Sequence, residues 1–339
     1  MSSAFRHADL GCGHTRLRVD YCQDSIESLL ADPCTLAVLG FGRSAPGSHD
    51  DPRYLNTHLE PLHAPAPFEV WRAEGDVSTG KQGDMAWSHS GGLAFGSLTI
   101  EESALGGIRP AAEAAYTQLL DHLENSAHPA LLRTWNYVDA IVEGAGDRER
   151  YKEFCVGRAR GIGERLAAFP AATGIGLRDG RRTLRIYWLA GRRPGAAIEN
   201  PRQVEAWRYP RQYGPQPPSF SRATLPADTS LQLLLSGTAS VVGHSSLHAD
   251  CIALQVDETF KNFASLLELV AARQPRIPTC FGAQSVLKVY LRDPCDAPAL
   301  NAALAKHLSP DVPRLVLLAD ICRPELRVEI DGFHGFGDP

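Results

Sequence analysis

The sequence predicts an α/β fold in which helices pack on mixed β-sheets. In both halves of the chain, segments with strand-like alternation of apolar and polar residues are separated by segments with helical periodicity. The chain has 339 residues, 44% of them hydrophobic, which suits roughly two domains of ordinary size. We therefore predict two α/β subdomains, residues 1–180 and residues 181–339, with a boundary region between residues 170 and 200.

The first half begins with strands and continues with two helices. The predicted strands are residues 35–42, 68–71 and 93–100. Residues 43–66 are rich in Pro, Ser, His and Asp and are predicted to form a loop, while the Gly- and Ser-rich residues 75–92 are predicted to form a turn. One helix begins near Pro110, and a longer one covers residues 148–169 and ends at Pro170.

The second half follows the same plan of strands with helices between them. The predicted strands are residues 183–190, 231–242, 286–292, 314–320 and 326–330. Two helices are predicted at residues 258–274 and 297–308. Since strands and helices intermingle in each half, the pattern favours helices layered on mixed sheets over an all-helical or all-β fold.

Charge and cysteine content exclude several classes of function. The 34 Lys and Arg residues against 39 Asp and Glu give a net charge of −5, without the basic excess typical of proteins that bind nucleic acid. The N-terminus has no apolar signal segment, and the longest apolar runs have the length of strands, so no membrane association is expected. The eight cysteines contain no CxxC pair, which predicts reduced thiols in a cytoplasmic protein and no structural zinc site.

Common nucleotide and hydrolase motifs are absent. Residues 174–176 (GIG) with Gly180 lack the third glycine of a dinucleotide-binding fingerprint and precede a strand instead of opening a helix. Neither a phosphate-binding loop nor a GxSxG nucleophile turn occurs. The segment 243–248 (GHSSLH) is either a fragment of a metal site or catalytic triad, or a loop whose histidines bind nearby backbone groups.

An arginine-rich, proline-rich segment covers residues 207–222. Its sixteen residues include three arginines, two tyrosines and four prolines. Proline stiffens a loop, and the planar guanidinium group matches a carboxylate. The segment is therefore a candidate clamp for a small dicarboxylate, with a solvated surface loop as the alternative.

Two further segments carry unusual residues on predicted strands. Small residues interrupt the strand at 235–243 (LSGTASVVG), where glycine permits either a bulge or close approach of a ligand. In 322–330 (CRPELRVEI), alternation places Arg327 and Glu329 on the face opposite the apolar residues. A glutamate that faces a ligand cavity has a raised pKa and can act as an acid, whereas one on an exposed strand is only a solvated carboxylate.

These three segments together closely resemble the chorismatase family, enzymes that remove the enolpyruvyl group of chorismate as pyruvate. The resemblance is carried by RYPRQYGPQPPSFSRA, SGTASVVGHSS and CRPELRVEIDG and extends over about residues 130–332. Residues 286–332 also resemble the end of the RidA/YjgF superfamily. The resemblance implies two RidA/YjgF-like subdomains, with most of the active site in the C-terminal one, and a reaction without metal or redox cofactor.

The resemblance also implies a reaction type. The family's acid glutamate matches Glu329, and two marks of its 3-hydroxybenzoate synthase branch match Gly237 and Cys322, since the hydrolase branch tends to carry alanine at the glycine position. The predicted products are pyruvate and 3-hydroxybenzoate, with 4-hydroxybenzoate formed by some members. The alternatives are a chorismate hydrolase that releases a dihydroxycyclohexadiene carboxylate, and a non-catalytic RidA-like module that binds a small metabolite.

Chorismate carries two carboxylates, so the resemblance implies cationic and hydroxyl ligands for it. The substrate-binding positions predicted in this way are Arg208, Arg211, Tyr213, Arg222, Gly237 and Thr238. The pairing of arginines with carboxylates is open, and Cys322 either shuttles a proton or shapes the pocket. The sequence also leaves open the ratio of 3- to 4-hydroxybenzoate and the oligomeric state, although a monomer is compatible with it. The downstream pathway is open as well, since hydroxybenzoates serve as precursors of pigments, quinones and polyketide starters.

Overall fold

The computed structural model describes residues 16–62 and 68–335. Its helices are α1 (Ile26–Ala31), α2 (Ile108–Glu124), α3 (Arg150–Ile162), α4 (Ile252–Arg273) and α5 (Ala297–Leu304). Not one of these five is both long enough and apolar enough to cross a membrane.

The strands of the described ranges form three main sheets. They are β1 (Leu17–Cys22), β2 (Thr35–Gly40), β3 (Tyr54–Asn56), β4 (Glu60–Pro61), β5 (Phe68–Ala73), β6 (Ser78–Gln82), β7 (Met85–Ser90), β8 (Leu93–Glu101), β9 (Ala130–Asp139), β10 (Ala171–Leu177), β11 (Thr183–Gly191), β12 (Ala196–Ile198), β13 (Ala223–Leu225), β14 (Leu233–Thr238), β15 (Val241–Val242), β16 (Ser245–Ser246), β17 (Val286–Leu291), β18 (Arg314–Leu318), β19 (Asp320–Ile321) and β20 (Val328–His334). A four-stranded sheet has the order β1-β5-β2-β3, the first seven-stranded sheet β19-β10-β9-β11-β8-β7-β6, and the second β12-β13-β14-β20-β17-β18-β4. Strands β15 and β16 form a separate antiparallel pair. Parallel and antiparallel pairs occur in each sheet, so the predicted α/β class with helices on mixed sheets is confirmed.

The three sheets share one central core, and the helices cover their outer faces. Aromatic residues from all three sheets meet in this core: Trp71 from the four-stranded sheet, Trp135 and Tyr187 from the first large sheet, and Tyr290 and Phe333 from the second. Helices α2 and α3 pack on the first large sheet, α4 and α5 on the second, and α1 on the four-stranded sheet. Each sheet therefore buries both faces, which explains the long apolar runs in the strands.

The sheets do not divide at residue 180. Strand β11 lies between β9 and β8 in the first large sheet, so the predicted boundary would cut this sheet between β10 and β11. The order of the strands places the change of sheet after Gly191 instead. The halves also exchange strands, because β4 joins the second large sheet and β19 the first.

Several predicted elements have different bounds in the structure. Helix α3 ends at Gly163, whose φ of +54° and N–H bond to the carbonyl of Ala159 terminate it before Pro170. The predicted turn at 75–92 is the hairpin of β6 and β7. The predicted loop at 43–66 contains β3 and β4, and its last four residues lie outside the described ranges.

Candidate active site

The feature of chemical interest is a cavity beside β20, the central strand of the second large sheet. The cavity lies between α3, β10, the loop at 199–222, β14 and residues 322–329, and its space, counted with the open mouth, is about 840 Å³. Its lining comes from both predicted subdomains, with the larger share after residue 180. Its lining combines cationic, acidic and aromatic side chains, a mixture typical of a site for a small polar ligand.

Glu329 of β20 lines this cavity and is the candidate acid. Its side chain is buried, and its carboxyl group makes no hydrogen bond to any residue in the described part of the chain. Burial, reinforced by the nearby carboxylate of Asp331, raises its pKa from 4.5 to about 8, against the opposing effect of Arg133, Arg222 and Arg323. The group is therefore mostly protonated at neutral pH and able to donate a proton.

The raised pKa of Glu329 predicts a pH-dependent cost to stability. The folded protein keeps this proton up to about pH 8, whereas the unfolded chain loses it near its ordinary pKa of 4.5, so the contribution of Glu329 to folding free energy becomes less favourable as the pH rises between these values. We expect the melting temperature of Glu329→Gln, relative to the parental protein, to increase from about pH 5 to pH 8. Thermal unfolding at a series of pH values tests this, and a constant difference contradicts it.

Arg222 presents a buried cation to the cavity. Its Nη2 donates to Tyr209 Oη at 2.7 Å and to the backbone carbonyl of Val204 at 2.9 Å. Its Nε has no hydrogen-bond partner among the described residues, and the guanidinium carbon lies 5.0 Å from the ring of Phe220. The guanidinium group is thus held in place while part of its donor capacity is unused.

Arg158 and Arg323 bring two more cations to the same cavity. Arg158, on the buried face of α3, lies 4.9 Å from the ring of Tyr116, and its Nε has no hydrogen-bond partner in the described part of the chain. Arg323 donates to the carbonyl of His244 at 2.8 Å and stacks 4.1 Å from the ring of Tyr213. Within residues 16–62 and 68–335, no carboxylate lies within 4.0 Å of the guanidinium groups of Arg158, Arg222 or Arg323. A cavity with three such cations and a neutral acid favours a dianionic ligand.

Two tyrosines of the loop at 199–222 contribute hydroxyl groups. Tyr209 accepts the bond from Arg222, and Tyr213 lies with its hydroxyl 3.2 Å from His244 Nδ1. Their rings are 5.3 Å apart and both line the cavity. The structure therefore brings the predicted residues Tyr213 and Arg222 together with Glu329.

Three predicted binding residues lie elsewhere. Arg211 is 65% exposed, because its short 3-10 turn directs it outward to a two-point ion pair with Asp147 at 2.6 and 2.8 Å. Arg208 is 69% exposed and pairs with Glu205. Thr238 is buried in β14, where its hydroxyl donates to the carbonyl of Ser236. We correct the assignment accordingly: none of these three lines the cavity.

Gly237 lies against the candidate acid. The pairing of β14 with β20 shifts register between Leu235 and Thr238, so Gly237 lies in a bulge next to Glu329. A Cβ at this position would overlap Glu329 Oε1 and come within 2.9 Å of its Cδ. Glycine is required here for the observed position of the carboxyl group.

Cys322 also lines the cavity, near Glu329. Burial and the neighbouring Glu329 raise the pKa of its thiol far above the ordinary value, so it is a neutral thiol at pH 7. It can contribute a weak hydrogen bond or fill space but has no nucleophilic thiolate. The other described cysteines are also free thiols, and Cys12 lies outside the described residues.

Within residues 16–62 and 68–335, histidines and other metal-binding side chains do not form a second site. The residues that the structure describes contain no group of three or more His, Cys, Asp or Glu side chains able to hold a metal ion. In the segment 243–248, His244 faces Tyr213, and His248 lies 3.8 Å from Glu258. Of the two interpretations of this segment, the structure favours loop contacts.

Sequence reasoning missed Arg158 and Arg323 as site residues. Arg158 had a detectable signal, because it occurs at helical spacing with Tyr151, Cys155 and Ile162 on the apolar face of α3. A charged residue on such a face is unusual unless it serves a buried site. Arg323 follows Cys322 directly in the terminal motif, but nothing in the sequence shows that the loop turns its side chain toward Tyr213.

Comparison with known proteins identifies the family. A chorismatase of Streptomyces rapamycinicus is 37% identical over 275 residues, which cover 78% of this chain and 81% of that protein. The chain belongs to the chorismatase family. A 3-hydroxybenzoate synthase of Streptomyces hygroscopicus is 34% identical over 279 residues, again 78% of this chain and 81% of that protein. The model of the N-terminal part of FkbO/Hyg5-like chorismatases matches residues 69–190.

One solved structure agrees with this assignment. A chorismatase crystal structure at 1.08 Å resolution matches with a TM-score of 0.82 and 30% identity, covering 96% of this chain and all of that chain. The chorismatase fold therefore extends over nearly the whole sequence. A member of the YjgF/YER057c/UK114 family from Mycobacterium tuberculosis covers 34% of this chain at 17% identity, with a TM-score of 0.26.

Proposed function

We propose that this chorismatase converts chorismate to 3-hydroxybenzoate and pyruvate. The observation that carries the proposal is a buried glutamate, Glu329, whose pKa is raised by burial, in a cavity with three arginines that lack a carboxylate partner among the described residues. Gly237 and Cys322, both on the cavity wall, support the synthase branch, as does the similarity to a 3-hydroxybenzoate synthase. A cytoplasmic location and a monomeric state stay predictions.

The arginines account for binding of the two substrate carboxylates. Arg222, Arg158 and Arg323 line the cavity and are each held by hydrogen bonds or ring contacts. The Nε atoms of Arg158 and Arg222 have no hydrogen-bond partner among the described residues. Charge-assisted bonds from such fixed guanidinium groups bind carboxylates strongly and cost little reorganisation. The hydroxyl of Tyr213 is available to the same ligand.

The acid step uses Glu329. Its proton is transferred to the methylene carbon of the enolpyruvyl group, which becomes a methyl group, and the adjacent ether carbon becomes cationic. The carboxylate left on Glu329 stabilises this cation electrostatically. In the next step the ring hydroxyl of the substrate attacks the neighbouring ring carbon that bears the ether oxygen. The bond between this ring carbon and the ether oxygen breaks, and its electron pair neutralises the cation, so the ether oxygen becomes the keto oxygen of pyruvate.

Aromatisation of the ring then drives the reaction to completion. The atoms of chorismate divide between hydroxybenzoate and pyruvate without net uptake of water, and the ring proton that is lost restores the acid form of Glu329. Hydrolysis, the second candidate, adds one water and releases a cyclohexadiene diol. Cys322, a neutral thiol near Glu329, shapes the pocket during the ring steps or relays a proton.

Incubation of the purified protein with chorismate in an EDTA-containing buffer tests the proposal. We expect the ultraviolet spectrum of an aromatic product and an equal amount of pyruvate. A cyclohexadiene spectrum would assign the hydrolase reaction instead. Absence of turnover together with tight chorismate binding would assign a non-catalytic binding module.

The three cavity arginines are expected to control substrate affinity. Removal of one charge-assisted bond costs about 1.5–3 kcal/mol, so Arg158→Ala, Arg222→Ala and Arg323→Ala should each raise KM for chorismate roughly tenfold to a hundredfold. Arg211→Ala is the matched control: it removes an exposed arginine of the same loop, and we expect a KM within about twofold of the parental value. Unchanged KM in all three cavity variants would exclude them as the carboxylate ligands.

A further inference from the structure

A buried cluster of four charged side chains lies behind the wall of the cavity. The members of this charge cluster, Glu69, Arg133, Lys288 and Asp331, are at most 1% exposed. Lys288 Nζ lies 2.8 Å from Glu69 Oε2 and 4.0 Å from Asp331 Oδ1, and Arg133 Nη2 lies 3.2 Å from Asp331 Oδ2. Burial of four charges is expensive even when they pair, so stability alone does not explain the cluster.

The strand register places the cluster next to Glu329. In the pairing of β17 with β20, Tyr290 is opposite Glu329 and Lys288 is opposite Asp331. Residues two apart on a strand point to the same face, about 6.8 Å apart along it. Asp331 and Glu329 therefore share the face of β20 that is directed at β9 and β10, while Val328 and Ile330 point to the core under α4 and α5.

Asp331 is fixed by donors from neighbouring strands. Thr173 Oγ1 donates to its Oδ2 at 2.7 Å, and Tyr290 Oη donates to the same oxygen at 2.9 Å. Thr173 also accepts a bond from Arg133 Nη2 at 2.9 Å and itself lines the cavity. These bonds hold the carboxylate of Asp331 immediately behind the candidate acid.

We propose that Asp331 is a positioning residue whose fixed negative charge keeps Glu329 in its acid form until the substrate takes the proton. The inference rests on the proposed role of Glu329. Neighbouring groups act on Glu329 in both directions: Asp331 disfavours its ionisation, and Arg133, Arg222 and Arg323 favour it. Tyr151 and Cys322 also face it, both uncharged at neutral pH because burial raises their pKa values.

The pH dependence of kcat/KM tests the role of Asp331. Activity requires protonated Glu329, so it should fall above the pKa of this group. Asp331→Asn removes a neighbouring negative charge, and we expect this alkaline limb to move down by about one pH unit. The control is Glu69→Gln, which replaces another buried carboxylate of the charge cluster, on a different sheet, and should leave the limb in place.

A milder pair of variants guards against failure of Asp331→Asn to fold. Tyr290→Phe removes one hydrogen-bond donor from Asp331 Oδ2, so the negative charge of Asp331 is less neutralised. The alkaline limb of the kcat/KM profile should therefore move to higher pH. Tyr187→Phe removes a buried hydroxyl that bonds Tyr137 instead of Asp331, and the limb should stay. A merely structural role of Asp331 would lower the amplitude of the profile without these opposite shifts.

The outcomes separate this inference from the proposed function. A parental protein without chorismate turnover, or without an alkaline limb, overturns the acid role of Glu329 itself. If the alkaline limb of folded Asp331→Asn or of Tyr290→Phe falls at the same pH as that of the parental protein, only the role of Asp331 is overturned. A shift of the alkaline limb to lower pH in Asp331→Asn and to higher pH in Tyr290→Phe supports the role of Asp331.

Discussion

Glu329→Gln is expected to lose at least about a hundredfold in turnover, the usual lower range for removal of a general acid. The amide has nearly the same shape but no acidic proton, so the methylene carbon of the enolpyruvyl group is not protonated. Chorismate binding should be largely retained, because the arginines on the cavity wall are unchanged. Steady-state kinetics and equilibrium binding on the same preparation separate the two effects.

Glu199→Gln is a matched control for this variant. Burial also raises the pKa of Glu199, to about 7, and Arg222 acts on it as well, but its side chain does not line the cavity. We expect turnover of this variant to stay within severalfold of the parental rate. Near-normal turnover of Glu329→Gln would remove Glu329 from the mechanism, whatever the result for Glu199→Gln.

Gly237→Ala is expected to slow the reaction and to change its product. The added methyl group would overlap Glu329 Oε1, so the carboxyl group must turn away from its present position. Overpacking of this kind costs about 1–3 kcal/mol, which corresponds to a loss of roughly tenfold to a hundredfold in rate if it falls on the transition state. Displacement of the Glu329 carboxyl group and a shift of the substrate ring impair internal attack by the ring hydroxyl more than attack by water. The proportion of cyclohexadiene diol among the products should therefore rise.

Chromatography of the products from one incubation measures this change. Gly174→Ala serves as the control, since its methyl group would also enter the cavity but would meet Tyr151 at 3.3 Å and not Glu329. Its product should stay aromatic. If Gly237→Ala is slow but its product also stays wholly aromatic, Gly237 is only a packing residue and the synthase assignment loses one of its supports.

The sequence predicted the fold class well because buried strands and amphipathic helices leave periodic signals. It missed the hairpin of β6 and β7, whose first strand, STGKQ, is polar and largely exposed at the edge of its sheet. It also placed the end of α3 at Pro170, although Gly163 ends the helix first. Sheet membership of β11 depends on pairing between distant segments, which no local pattern reveals.

Residues on a regular strand were easier to place from the sequence than residues in a loop, although the acid role of Glu329 came from the family resemblance. Alternation along 326–330 placed Glu329 opposite the apolar residues, and the structure has it on the cavity wall. In the loop at 207–222 no periodicity applies, and composition alone cannot tell an arginine that faces inward, such as Arg222, from one that faces Asp147, such as Arg211. The position of Asp331 beside the site could not be predicted from the sequence, because its partners come from three separate strands.

Turnover of chorismate in deuterium oxide tests the central claim most directly, namely that an exchangeable proton on Glu329 goes to the enolpyruvyl methylene carbon. The pyruvate is reduced at once by added lactate dehydrogenase and NADH so that its methyl group cannot exchange, and the lactate is analysed by mass spectrometry and NMR. Proton delivery by Glu329 predicts one deuterium in each methyl group. A methyl group without deuterium would show that the hydrogen comes from the substrate ring, which would contradict general acid catalysis by Glu329.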